Sequence, residues 1–330
     1  MFHITADQGK NRLKVKAMKK QVTSDILMIK PVNFRYNEET ASNNYYQKVV
    51  DGLSAETAQI HALREFDGLV EKLKQKKINV KVINDTTSPE TPDAVFPNNW
   101  VSFHENGTVC LYPMFAESRR KERRMDIIKQ MSAEYEISEI VDYTSYEDQQ
   151  KYLEGTGSMV LDRANHVVYA AISERTDRDI LEMFCKKYGY QQVIFKANQT
   201  VNGERVPIYH TNVMMCMAEQ FALICLDTID DENERKKVTG MFEKTGKDII
   251  TISEEQVNLF AGNMLQVCNA GGQRYMVMSS TAYHSLTKNQ LETIERSGPV
   301  IHSSLDTIEA CGGGSARCMM AEIFLPFKQN

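Results

Sequence analysis

The chain has 330 residues and a formal net charge of −5, with 42% hydrophobic and 25% charged residues, an ordinary mixture for a globular enzyme with a sizeable core. Nothing in this balance asks for nucleic acid or an anionic membrane, which would need a basic face, and no apolar run approaches the roughly 18 residues of a membrane span. The seven cysteines are odd in number and form no CxxC pair, which reads as reduced, cytoplasmic thiols serving mostly as small core residues.

Residues 1–24 read as an N-terminal tail. Its basic residues, from Lys10 to Lys20, are not preceded by the apolar stretch of a secretory signal. Residues 25–330 read as one domain. In chain order, a strand is expected over 25–30 and a helix over 54–76, where Ile60, Leu63, Phe66, Leu69, Val70 and Leu73 recur near helical spacing. A strand over 79–84 follows.

Four similar units come next, each a hairpin, a helix and a strand. The first has a hairpin over 101–114 turning at Glu105-Asn106-Gly107, a helix over 117–135 and a strand over 139–143. The second has a hairpin over 158–173 turning at Arg163-Ala164-Asn165, a helix over 176–188 and a strand over 192–197. The third runs through a hairpin over 212–227, a helix over 231–245 and a strand over 248–253. The fourth has a hairpin over 264–279 around Gly271-Gly272, a helix over 287–297 and a strand over 299–303. A last strand over 317–325 joins the opening elements to make a fifth unit from both chain ends. The units recur at a spacing of roughly 50–60 residues, as repeat architectures do. Five ββαβ units with a shared last member suggest a closed ring; a generic α/β sheet with hairpins is the alternative.

Polar residues fall at one phase of this repeat, just before or at the start of each hairpin: Asn98-Asn99, Glu154, His210, Asn263 and Cys318. In a ring, equal phase means one end of the axis, so these residues should meet. A thiolate is a nucleophile, a histidine can move its proton to a leaving nitrogen, and a carboxylate can orient that imidazole or bind substrate N–H groups. Gly312-Gly313-Gly314 beside Cys318 would let a ligand approach the backbone closely. No HxxxH, HExxH or paired-cysteine spacing calls for a metal, and no GxGxxG follows a strand. No cofactor is therefore expected.

Six segments occur in order: Pro92-Asp93-Ala94-Val95-Phe96-Pro97-Asn98-Asn99, Glu117-Ser118-Arg119-Arg120, Glu154-Gly155-Thr156-Gly157, Ser173-Glu174-Arg175-Thr176, His210-Thr211-Asn212 and Gly313-Gly314-Ser315-Ala316-Arg317-Cys318-Met319. Together they resemble the guanidine-modifying superfamily of arginine deiminases, dimethylarginine dimethylaminohydrolases and amidinotransferases, from about residue 25 onward. The resemblance implies a five-bladed ββαβ propeller (pentein), with Cys318 as nucleophile, His210 as acid and base, and Glu154 holding substrate nitrogens. It implies that Arg119 or Arg120 and Arg175 hold the substrate carboxylate, for which a guanidinium fork is suited, and that Asp93 holds the α-amino group. Asn98 and Asn263 complete the expected substrate site.

The sequence departs from the family pattern at Asn99, where members acting on cationic guanidinium usually carry a carboxylate. An amide offers an NH2 donor in place of a charge, which suits the carbonyl of a neutral ureido group. Hydrolysis of citrulline to ornithine, ammonia and carbon dioxide is thus expected, and the chain also resembles a bacterial subgroup assigned to citrulline use. The alternatives are an arginine or methylarginine deiminase, an arginine dihydrolase, an amidinotransferase and, more remotely, a non-catalytic propeller such as the ribosome anti-association factor of this fold. The expected partner is an arginine-like small molecule rather than nucleic acid or membrane, and a homo-oligomer is compatible with the sequence. The loop-like segment 31–50 is a candidate lid.

Overall fold

The computed structural model describes residues 20–329. Most of the expected tail lies outside that range. Its last residues are anchored: Gln21 Nε2 donates to the Leu161 carbonyl at 3.0 Å, and Thr23 Oγ1 to that of Ile323 at 2.7 Å.

The fold is α/β, and five three-stranded sheets of one plan occur among the described residues. In each, a short first strand pairs antiparallel with a middle strand, and a third strand returns parallel to the middle one. The first four are Val101–Phe103, Thr108–Leu111 and Glu139–Asp142; Val160–Asp162, Val167–Ala171 and Gln191–Phe195; Met215–Met217, Phe221–Ile224 and Asp248–Thr251; and Leu265–Cys268, Arg274–Ser279 and Val300–Ser303. The fifth joins the two ends of the chain: Ala321–Glu322 pairs antiparallel with Asp25–Lys30, which is parallel to Asn79–Asn84. The parallel return needs a crossover, and each unit supplies one with a helix.

First strands of different sheets pack on one another. Ala321–Glu322 packs on Val101–Phe103, and Met215–Met217 packs on both Val160–Asp162 and Leu265–Cys268. Such strands are covered on both faces, so Val101–Phe103 and Met215–Met217 are buried at every residue. The crossover helices are amphipathic. Ala55–Gln75 starts at Ser54, whose side chain accepts from Thr57 N–H, and it buries Ala58, Ala62, Phe66, Leu69, Val70 and Leu73. Burial of Phe66 or Leu69 contributes about 1.5–3 kcal/mol each.

Three local features differ from expectation. The helix expected over 117–135 is two pieces, Glu117–Arg120 and Met125–Met131, separated by the extended backbone of Arg124. Arg120 and Arg123 there spend their side chains on the Met114, Phe115 and Tyr112 carbonyls and on Glu147. An additional hairpin, Asn198–Val201 with Glu204–Pro207, turns at Asn202-Gly203, both with positive φ; Asn-Gly is the usual sequence for such a turn. The last strand, expected over 317–325, is regular only at Ala321–Glu322, because the chain around Cys318 forms a turn. Among the described residues no helix is long and apolar enough to cross a membrane.

Candidate active site

The residues of equal phase sit on short turns just before the first strands of their sheets. Asn98 and Asn99 lie in the turn Pro97–Asn99, Glu154 precedes Gly155–Ser158, and His210 precedes Thr211–Met214. The turn Gly155–Ser158 packs against both of the others. Cys318 lies in a turn whose backbone is tied by Cys318 N–H and Met319 N–H to the Ser315 carbonyl. One narrow cavity is lined by Asp93, Asn99, Arg119, Arg175, His210 and Cys318.

Cys318 is 3% exposed, and two amides face its sulfur: Asn263 Nδ2 at 3.2 Å and Asn212 Nδ2 at 3.4 Å. The Asn263 oxygen accepts from Arg317 N–H at 3.1 Å, which fixes its NH2 toward the sulfur. Donors so placed stabilise negative charge on sulfur as it forms.

His210 Nε2 lies 2.7 Å from Glu154 Oε2. Burial opposes ionisation of Glu154, but Arg175, His210 and Arg119 outweigh it and hold the carboxyl at about 2. A carboxylate only accepts, so Nε2 carries the imidazole proton and Nδ1 is free to take one. Burial pushes His210 down to about 4 against the pull of Glu154, with Arg175 and Arg119 adding to the depression. The resting histidine is therefore a neutral base. Glu154 is otherwise committed: its second oxygen accepts from Phe115 N–H at 2.9 Å, and Arg175 Nη1 lies 3.6 Å from the first.

Gly157 gives Asn99 and His210 the same space. A Cβ at Gly157 would stand 2.4 Å from Asn99 Nδ2 and 2.8 Å from the His210 ring. Asn99 Nδ2 is buried, and among the described residues nothing accepts its hydrogens.

The two cations beside the cavity differ in their commitments. Arg119 closes its fork on Glu122 at 2.9 Å through both Nε and Nη2, and donates through Nη1 to Asn99 Oδ1 at 2.8 Å. Arg175 is held by the segment 31–50: Nε donates to Asn43 Oδ1 at 2.9 Å, Nη2 reaches the same oxygen and the Thr40 carbonyl at 2.9 Å, and Tyr209 stacks on the guanidinium. The same segment reaches Asp93, whose Oδ2 accepts from Asn37 Nδ2 at 2.8 Å and Thr40 Oγ1 at 3.2 Å, while Oδ1 has no partner among the described residues. Burial raises the Asp93 carboxyl, with Arg119, Asn37, Arg175 and Thr40 opposing. Gln47 Nε2 donates to the Cys311 carbonyl, and Asn44 to those of Gly312 and Gly313. Gly313 has φ +62 and a Cβ there would strike Asn44, so this glycine is required for the segment to lie down across the site.

Cys318, His210, Glu154, Asp93, Asn99, Arg119, Arg175 and Asn263 thus converge. Arg120 does not line the cavity and donates to the Met114 and Phe115 carbonyls; Asn98 faces Thr156. Sequence reasoning gave no role to Asn212, although it stands two residues past His210 in the same turn, nor to Glu122, which only the turn geometry places behind Arg119.

The family model described as N,N dimethylarginine dimethylhydrolase, eukaryotic, matches residues 30–325. No curated protein matches the chain. Solved structures do. Apo ArgZ, an arginine dihydrolase of the ornithine-ammonia cycle in Cyanobacteria, superposes with a TM-score of 0.71 at 17% identity over 92% of this chain and 41% of its own. This chain therefore spans about two fifths of full-length ArgZ. The substrate-bound N-terminal domain of ArgZ alone gives a TM-score of 0.69 at 17% identity, covering 92% of this chain and 98% of that one. A dimethylarginine dimethylaminohydrolase variant, as its adduct with S-methyl-L-thiocitrulline, gives 0.58 at 14% identity over 92% of this chain and all of its own.

Proposed function

Because this chain belongs to the N,N-dimethylarginine dimethylhydrolase family of guanidine-modifying, C–N-bond-cleaving hydrolases, we propose that it hydrolyses the ureido group of citrulline through a covalent adduct on Cys318. In this reading residues 25–330 form a single catalytic domain. Its five sheets are the blades of a propeller whose last blade is closed by both chain ends; the shared strand plan and the pairing of Ala321–Glu322 with Asp25–Lys30 support that arrangement.

The unpaired NH2 of Asn99 beside His210 carries the substrate assignment. It offers a donor to a carbonyl oxygen and no charge to a cation. Two amides, Asn212 and Asn263, face the sulfur, Asn99 lines the same cavity, and the nearby carboxylate Glu154 is already paired with His210 and Arg175. With Asp93 taken by the substrate ammonium, a cationic guanidinium would be desolvated there without a free counter-charge, whereas a neutral ureido group brings no charge to desolvate.

The amino-acid end falls to Arg175 and Asp93. Their partners Asn37, Thr40 and Asn43 sit on the segment 31–50 and can be exchanged for a substrate carboxylate and ammonium. Arg119, by contrast, is tied to Glu122 and Asn99. The segment then serves as a lid, and its closed position excludes water from the reacting atoms.

Cys318 attacks the ureido carbon as His210 Nδ1 takes the thiol proton. The carbonyl oxygen gathers negative charge against the Asn99 NH2. As the tetrahedral adduct collapses, one nitrogen leaves with the proton returned by His210, and a thiocarbamate remains on the sulfur. His210, neutral again, deprotonates a water that cleaves the thioester bond. The resulting carbamate loses carbon dioxide, so citrulline and water yield ornithine, ammonia and carbon dioxide, and the thiol is regenerated. Arginine dihydrolysis is a second reading; it passes through citrulline, so the amide-lined site would serve its second half.

Acid-quenching the enzyme during turnover and mapping Cys318 by mass spectrometry tests this reading. A carbamoyl-type modification formed from citrulline is expected. An amidino-type modification formed from arginine, with none from citrulline, would overturn it.

A further inference from the structure

An asparagine amide can present either its oxygen or its NH2 to a cavity, because rotation about its last torsion is broad and two-fold. Presented as oxygen, Asn99 would accept an N–H from a guanidinium; presented as NH2, it donates to a carbonyl. The difference lies outside the residue, in what stands behind it.

Behind Asn99 stands Arg119, at 2.8 Å from Oδ1. Arginine has donors only, so a flipped amide would set NH2 against N–H and lose that bond. Arg119 is itself fixed. Glu122, one turn further along, accepts from Nε and Nη2 at 2.9 Å each, and the Phe96 carbonyl accepts from Nη2 at 3.2 Å. The side chains are 3% and 1% exposed, so water offers neither an alternative partner. Such a buried fork-to-carboxylate pair fixes direction as well as charge.

We infer that Glu122 and Arg119 are positioning residues that set substrate preference by locking the Asn99 amide with its oxygen turned away from the cavity and its NH2 turned into it. Glu122 holds the plane of the guanidinium, Arg119 holds the amide oxygen, and the amide passes a single donor to the substrate. The charge of Arg119 is neutralised from behind by Glu122, so it need not be met by the substrate. This inference rests on the citrulline reading for its direction but not for its existence, since an oriented amide biases any pair of carbonyl and iminium substrates.

The test is the ratio of kcat/KM for citrulline to that for arginine in the wild type, Glu122→Gln and Arg119→Lys, each measured also in an Asn99→Asp background. Glu122→Gln keeps an oxygen for the guanidinium but loses the bidentate hold; Arg119→Lys keeps the charge without the fork. Each should lower the citrulline-to-arginine ratio by about tenfold, the worth of one hydrogen-bond preference. In the Asn99→Asp background neither should change it, because a carboxylate has no NH2 to orient. An unchanged ratio in folded single variants, or an equal change in the Asn99→Asp background, overturns the inference. A wild type that prefers arginine overturns the citrulline reading alone; the response to Glu122→Gln, and its disappearance with Asn99→Asp, still decides the positioning role.

Discussion

Asn263 donates to the Cys318 sulfur at 3.2 Å while its own oxygen accepts the Arg317 backbone N–H at 3.1 Å. The amide is thus oriented by the same turn that carries the nucleophile. Asn263→Asp should keep the backbone contact and replace the donor with a repelling charge. A loss of about 10²–10³ in kcat is expected, the usual cost of removing one donor from a developing anion, with a lowered thermal midpoint because the buried charge also loses the bond to the Asn212 carbonyl. Activity within a few-fold of wild type would remove Asn263 from the chemistry.

Gly157→Ala should be as damaging without removing any functional group. Its Cβ would lie 2.4 Å from Asn99 Nδ2 and 2.8 Å from the His210 ring, below any real contact. Turnover should fall by at least about 10²-fold, the scale of a 1 Å misplacement. Normal turnover in the alanine variant would show that Asn99 and His210 are not packed together as described.

The imidazole of His210 should stay neutral well into acid. Its folded-state value is pushed from 6.5 to about 4, by burial first, while Glu154 is held at about 2. Below pH 6.5 the unfolded chain binds a proton at this imidazole that the folded chain refuses until about pH 4, so His210 erodes stability as pH falls through that window. Glu154 acts in the same sense lower down: its contribution is present above pH 4.5 and lost as pH falls toward 2. Nitrogen NMR of labelled histidine should show the Nε2–H tautomer of His210 persisting at pH 5.5, and a midpoint near 6.5 would contradict this.

Asn43→Ala should loosen the lid. It removes an acceptor that Arg175 reaches through both Nε and Nη2, leaving the Thr40 carbonyl as the remaining tie of Arg175 to the segment. Alkylation of Cys318 by iodoacetamide in the substrate-free enzyme should speed up by about ten- to a hundredfold, the worth of one charge-assisted hydrogen bond. An unchanged rate would mean that the segment is not what shields the sulfur.

The repeat was legible because each unit must alternate its pattern to bury a sheet on both faces and a helix on one, and the convergence of Asn99, Glu154, His210, Asn263 and Cys318 followed from their common phase. What the sequence could not show is which donor meets which acceptor. Arg119 and Arg120 are adjacent and chemically identical, yet a short helical turn sends one inward to Asn99 and the other outward to backbone carbonyls. Asn37, Thr40 and Asn43 occupy a segment without hydrophobic periodicity, so nothing in their spacing announced that they would meet Asp93 and Arg175. The Asn202-Gly203 turn did carry its own signal and defines a hairpin outside the repeat.

The most direct measurement is to incubate the protein separately with L-citrulline and L-arginine and to quantify ornithine, citrulline and ammonia, with Cys318→Ala as control. Ornithine released from citrulline and abolished in Cys318→Ala is the predicted result. Citrulline accumulating from arginine, with no ornithine from either substrate, would contradict the account and leave a deiminase.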